Sequence, residues 1–193
     1  NGISQIAYTW EFGNGVSASA AIEDNRVINR SPLLNASLTQ PATGVFSGVF
    51  TNSYGGNVSP DFTGNIRIDQ KTFTAQLSGA AHNIHANYYA GPGGIAPVET
   101  NGHPDDVWGF AVMGGLQLKE LPTGPGDKLS LDITYVDGAV KYLIGGVTGS
   151  SFDAFSGGTN FAGSYNGMAV LSLLDGVYTT GSRIEKTKGW GFR

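Results

Sequence analysis

Successive stretches of this chain alternate apolar and polar residues, and the joints between them are short and long in turn. In the first pair, Ile6, Tyr8, Trp10 and Phe12 fall on one parity and Gln5, Ala7, Thr9 and Glu11 on the other. Gly13-Asn14-Gly15 marks a tight turn, after which Val16, Ala18, Ala20 and Ile22 alternate with Ser17, Ser19, Ala21 and Glu23. A period of two puts the two sets on opposite faces of a strand, so the chain reads as antiparallel sheet with one apolar and one polar face. A soluble sheet alternates in the same way, and the joints and the aromatic residues carry the argument further.

The pattern recurs along the chain. Ile66 and Ile68 alternate with Asn65, Arg67 and Asp69; a short joint at Gln70-Lys71-Thr72 leads into Phe73, Ala75, Leu77, Gly79 and Ala81, set against Thr74, Gln76, Ser78 and His82. Trp108, Phe110, Val112, Gly114, Leu116 and Leu118 alternate with residues ending in Gln117 and Lys119, and the compact turn 121–127 leads to Leu129, Leu131, Ile133 and Tyr135, set against Lys128, Ser130, Asp132 and Thr134. Strand character extends toward Ile144, and a short strand is expected at 46–51. Long polar connections are expected at 24–64, 87–107 and 145–166. Two closing strands flank a joint at Thr180-Gly181-Ser182 with poor alternation: Leu171, Leu173 and Leu174 do not keep one parity, and Ile184, Lys186, Lys188 and Trp190 share a face that carries two lysines. The total is about eight strands in a single domain, residues 1–193.

Composition limits what such a sheet can be. Only 13% of the residues are charged and 40% are hydrophobic, with 30 glycines, which suits β structure with an uncharged face. No apolar run reaches the ~18 residues of a membrane helix, but a membrane barrel crosses with half-apolar strands that such a test does not detect. The net charge of −4, without a basic cluster, argues against nucleic acid as a partner. There is no cysteine, so thiol catalysis, thiolate metal sites and disulfides are excluded. No nucleophile, zinc-protease or phosphate-loop motif is present, so neither an enzyme nor a cofactor is expected.

Short turns on one end and long loops on the other are the habit of outer-membrane barrels. The stretch from Trp108 to Lys119 is long enough for a crossing, which takes about 9–11 tilted residues. Tyr8, Trp10, Phe12 and Phe73 sit toward the short turns, whereas Trp108, Phe110 and Tyr135 sit toward the long loops. Rings of this kind favour the two lipid–water interfaces, and these seven are the candidate interface aromatics. The other reading of the pattern is a soluble β-sandwich, a lectin-like or adhesin-like binding module whose long loops form the binding face. A complete eight-stranded barrel is a third reading. Small barrels fill their interior with side chains, and Ser17, Ser19, Ser78, Gly115 and Ser130 would leave it underfilled.

Several segments in order resemble the general porins of alphaproteobacterial outer membranes. They are Tyr8-Thr9-Trp10-Glu11-Phe12-Gly13-Asn14-Gly15, His103-Pro104-Asp105-Asp106 before Trp108-Gly109-Phe110-Ala111-Val112, and the 121–127 turn. Tyr135-Val136-Asp137-Gly138-Ala139-Val140-Lys141-Tyr142, Asp175-Gly176-Val177-Tyr178 and Trp190-Gly191-Phe192-Arg193 complete the set. The resemblance implies an all-β, up-and-down transmembrane barrel of about 16 strands, commonly trimeric, of which these eight strands are the middle part. It implies passive passage of small hydrophilic molecules and ions across the bacterial outer membrane. It also places the narrowing loop of such pores before Asn1, outside this stretch. An arc of a ring has two open edges, and unpaired backbone groups in lipid cost several kcal/mol each. The 193-residue chain alone is therefore expected not to insert as a stable pore.

A pore acts through the polar wall of its lumen. The candidate lining residues are Gln5, Thr9, Glu11, Ser17, Ser19, Glu23, Arg67, Asp69, Thr74, Gln76, Ser78, Gln117, Lys119, Ser130, Asp132 and Thr134. Their charges set any preference between cations and anions. No metal site is expected: His82 and His85 fall on opposite faces of a strand, and His103 with Asp105 and Asp106 reads as a solvated acidic loop.

Overall fold

The computed structural model describes residues 3–26, 32–35, 53–89, 91, 97–144 and 174–193, together with the backbone of 153–159 and 163–169. In chain order its strands are β1 Gln5–Gly13, β2 Val16–Glu23, β3 Leu33–Asn35, β4 Asp61–Asp69, β5 Phe73–Ile84 and β6 Val107–Lys119. There follow β7 Lys128–Asp137, a single helical turn α1 Lys141–Ile144, β8 Asp153–Thr159, β9 Gly163–Ala169, β10 Gly176–Tyr178, β11 Glu185–Lys186 and β12 Lys188–Phe192. The expected strand at 46–51 and the residues Leu171 and Leu173 lie outside the described residues.

One antiparallel sheet of seven strands, in the order β1-β2-β4-β5-β6-β7-β12, dominates the fold, and it is open at β1 and β12. Its register is continuous apart from an irregularity between Glu11 and Gly13 at the end of β1. Tyr8 pairs with Ala20, Ala20 with Gly64, Gly64 with Gly79, Gly79 with Val112, Val112 with Tyr135 and Tyr135 with Trp190. A one-residue slip at any joint would exchange the faces of every later strand. The shift between Glu11 and Gly13, beside the first turn, leaves the pairing from Gln5 to Glu11 in step, so a single apolar face runs across all seven strands. Its large side chains stand exposed; Ile6 retains 79%, Ile133 56% and Phe192 72% of its surface. A sandwich would cover that face with a second sheet.

The strand count departs from the expected eight in the last third of the chain. Strand β7 ends at Asp137 rather than continuing toward Ile144. Gly138 follows with φ +72, a left-handed conformation that turns the chain off the sheet. The joint at Thr180-Gly181-Ser182 does not connect two strands of the main sheet. It lies between β10 and β11, which form a separate three-stranded sheet with β3, parallel to β3 and antiparallel to β11. Only β12 returns to the main sheet. This explains the poor alternation of Ile184, Lys186, Lys188 and Trp190, since Thr187 separates segments in two different sheets. Among the described residues, strands β8 and β9 pair only with each other.

The short turns that follow β1, β4 and β6 lie on one end of the sheet, and the long connections lie on the other. The long connections span 24–60, 85–106 and 138–187. They are tied together at the outer end. Ser53 donates its N–H to the Leu33 carbonyl and Asn87 donates to Ser53, while Asp175 donates to Pro32 and Gly138 to Thr187. Beneath these bonds, Leu33, Ile84, Ala86, Tyr178 and Ile184 form a small buried core. Burial pushes the Tyr178 hydroxyl above its ordinary range, and it donates to the Asn87 carbonyl at 3.0 Å.

Candidate functional site

The second face of the seven-stranded sheet is polar, and the register gathers the sequence-derived candidates into rows on it. Gln5 pairs with Glu23. Thr9 lies across from Ser19, then Asn65, Ser78, Met113 and Thr134. Glu11 lies across from Ser17, then Arg67, Gln76, Gly115 and Asp132. Nearest the short turns, Asp69, Thr74, Gln117 and Ser130 form a further row, with Lys119 at the end of β6.

Hydrogen bonds between neighbouring strands tie these rows together. The Thr9 and Ser19 hydroxyls are 2.8 Å apart, and Gln117 Nε2 donates to Ser130 Oγ at 2.9 Å. Thr63 donates to Glu23 at 2.8 Å. The charges cluster near the short turns. Asp69 accepts from Arg67 at 3.1 Å, from Thr74 at 2.8 Å and from the Lys119 ammonium. Asp132 pairs with Arg193 at 3.0 Å. Each is an exposed contact, worth little for stability but sufficient to define the local field.

At the outer end the polar face is covered from inside. After Gly138 the chain doubles back, and Ala139, Val140, Tyr142 and Leu143 pack against Ala80, Ala111 and Val136. All three belong to the polar-face parity, so the segment lies over the polar face and not over the apolar one. Small residues make this approach possible. A Cβ on Gly109 would lie 2.1 Å from the Gly138 carbonyl oxygen, and Cβ atoms on Gly189 and Gly191 would crowd Leu143 at 2.9 and 3.0 Å.

A buried polar network fastens the same segment. His82, on β5, has 0% of its surface exposed. Its Nδ1 is 2.7 Å from Asp61 Oδ1 on β4, and its Nε2 is 3.5 Å from Asp175 Oδ2. Tyr142 donates its hydroxyl to Asp61 Oδ2 at 2.7 Å, and Asn25 donates to Asp61 Oδ1 at 2.6 Å. The Val140 N–H donates to Asp175 Oδ1 at 2.9 Å. Strand alternation had put His82 on the polar face. Asp61, Asp175, Tyr142 and Asn25 carried no such signal, because contacts between positions 36 and 81 residues apart are set by loop folding and not by period.

The candidate interface aromatics lie on the apolar face. Tyr8 and Trp10 make an edge contact at 4.5 Å, and Phe110 lies 5.9 Å from Tyr135. Trp108 approaches Phe62 at 6.1 Å. Phe62, Trp190 and Phe192 lie on the same face. Phe62 had been assigned to a loop, and the last two lie beyond the interrupted strand at Thr187.

A seven-stranded sheet with an exposed apolar face, a hydrogen-bonded polar face and all long connections on one end fits a membrane barrel wall. The family profile of the porin subfamily matches residues 1–192. The chain belongs to the porin subfamily. No curated protein and no solved structure was found to match it. Its function follows from membership: this porin is a non-enzymatic, passive diffusion pore of the bacterial outer membrane. Porin membership also decides against the sandwich reading, since lipid takes the place of the second sheet.

Proposed function

We propose that the seven strands are a continuous arc of a closed ring of about 16 strands, the size that leaves an aqueous channel, and that three such rings assemble as a trimer. The lumen wall of the arc is then Gln5, Glu11, Ser17, Ser19, Glu23, Arg67, Asp69, Gln76, Ser78, Gln117, Lys119, Asp132 and Thr134. Outer-membrane lipid takes the opposite face. Small hydrophilic molecules and ions cross down their gradients, and no cofactor takes part. The observation that carries this reading is that one face of all seven strands carries the large exposed apolar side chains while the other carries most of the polar ones. Among the described residues, strands β1 and β12 each present an unpaired edge. In lipid every unpaired backbone group costs several kcal/mol, which favours closure by further strands.

The segment 138–144 narrows this pore from its outer side. It occupies the polar face, held by Asp61, His82 and Asp175, and so stands in the path of solutes entering from the long-loop end. The narrowing expected from the resemblance lay outside this stretch; the inward segment is an additional one. Reconstitution of the full-length porin, of which these strands would be one arc, into planar lipid bilayers at neutral pH tests the pore reading. Stepwise, ohmic conductance supports it, and a bilayer that stays silent at saturating protein rejects it. Cross-linking in detergent that traps no species above the single chain would remove the trimer.

A further inference from the structure

The three histidines of the chain occupy two environments. His82 is buried in the network on the polar face. His85 and His103 meet on the outer surface together with Asp106, and one potential ligand atom from each lies within 4.8 Å of the others. We propose that His85, His103 and Asp106 form a binding site for a divalent first-row transition ion of the zinc type.

The positions are held by the fold. The last paired rung of β5 and β6 is Ile84–Val107. His85 and Asp106 are the next residue on each strand, so they face each other across the ladder, and His85 Nδ1 lies 2.6 Å from Asp106 Oδ1. The His85 carbonyl accepts from Gly55 N–H at 2.8 Å, which fixes its backbone. His103 is three residues upstream of Asp106, and the Pro104 between them is fully buried. The His85 and His103 rings are 5.2 Å apart, edge to face.

A second observation concerns protonation geometry. His103 Nδ1 lies 2.8 Å from the Pro104 carbonyl oxygen, which can only accept. Nδ1 therefore carries the hydrogen, and in the neutral ring Nε2 is left with its lone pair. Such a backbone bond on the far nitrogen is how metal-binding imidazoles are oriented and kept in the ligating tautomer. Two imidazoles and one carboxylate suit Zn²⁺, at about 2.0–2.2 Å per bond, with a remaining position for water. They do not suit Mg²⁺ or Ca²⁺, which prefer oxygen ligands throughout. His85 and Asp106 have the parity of Trp108, one turn of the pleat beyond it, so the site sits above the outer lipid interface and is reached without entering the pore.

In the untagged full chain folded in detergent, Zn²⁺ is titrated while the imidazole ¹⁵N resonances are followed. The His85 and His103 imidazoles are expected to shift to saturation together at one ion per site, with His82 unmoved. The His103→Ala and Asp106→Asn variants are expected to weaken Zn²⁺ binding at least tenfold while keeping wild-type conductance. Binding that is unsaturable up to about 1 mM, or equally strong in H103A, would overturn the site. Movement of the His82 resonance alone would do so as well.

Discussion

His82 Nδ1 lies 2.7 Å from Asp61 Oδ1, joining the long-loop ends of β5 and β4 on the polar side of the sheet. The same carboxylate accepts from Tyr142 and Asn25, so one side chain of the wall holds both the strand edge and the segment folded over it. A buried group with several partners is costly to lose, because the partners stay buried without it.

Replacing His82 therefore acts beyond its own strand. His82→Ala leaves the Asp61 and Asp175 carboxylates facing each other without the ring between them. A loss of about 3 kcal/mol is expected, read as a lower urea midpoint for the detergent-folded porin. Open-channel noise is expected to rise, as 138–144 loses its fastening. An unchanged midpoint would show that the network contributes nothing to holding the segment.

The inward course of that segment depends on Gly109. Any side chain there meets the Gly138 carbonyl. Gly109→Val is expected to displace residues 138–144 from the lumen and to raise single-channel conductance, while the strands keep their register. Val at Gly114 has nothing near it and serves as the control. Equal conductance in G109V and G114V would place the narrowing elsewhere.

Neighbouring residues on β5 separate the lipid and lumen faces. Leu77 is 56% exposed on the apolar face, and Ser78 is on the polar one. An arginine facing lipid near the bilayer midplane costs about 2–4 kcal/mol, whereas one in an aqueous lumen costs little. Leu77→Arg should lower folding stability in lipid vesicles by that amount, and Ser78→Arg should fold normally but reduce conductance. The reverse outcome would mean that the faces are exchanged.

Selectivity is expected to follow the cluster around Asp69. Its carboxylate neutralises part of the field of Arg67 and Lys119. Asp69→Asn leaves both cations on the wall and should move the zero-current potential in a KCl gradient toward anion preference. The shift should shrink as salt is raised and the Debye length falls. No shift at low salt would remove this cluster from the permeation path.

The alternation at 5–12, 73–81 and 108–119 determined which side chains share a face, because a strand has a fixed period of two and no packing decision is needed to apply it. The alternate short and long joints determined which end of the sheet carries the loops. Family likeness then turned the apolar face into a lipid face. The sequence could not show that β7 ends at Gly138. That end depends on a positive φ and on space above Gly109, contributed by a residue 29 positions away. Nor could it place the joint at 180–182 in a separate outer sheet, because β10 takes its place by pairing with β3, far away in the chain. The histidines show the division most clearly. Periodicity assigned His82 and His85 to opposite faces, correctly. Only the tertiary structure brought Asp61 and Asp175 to the first and His103 and Asp106 to the second, since such meetings are decided by how the loops close.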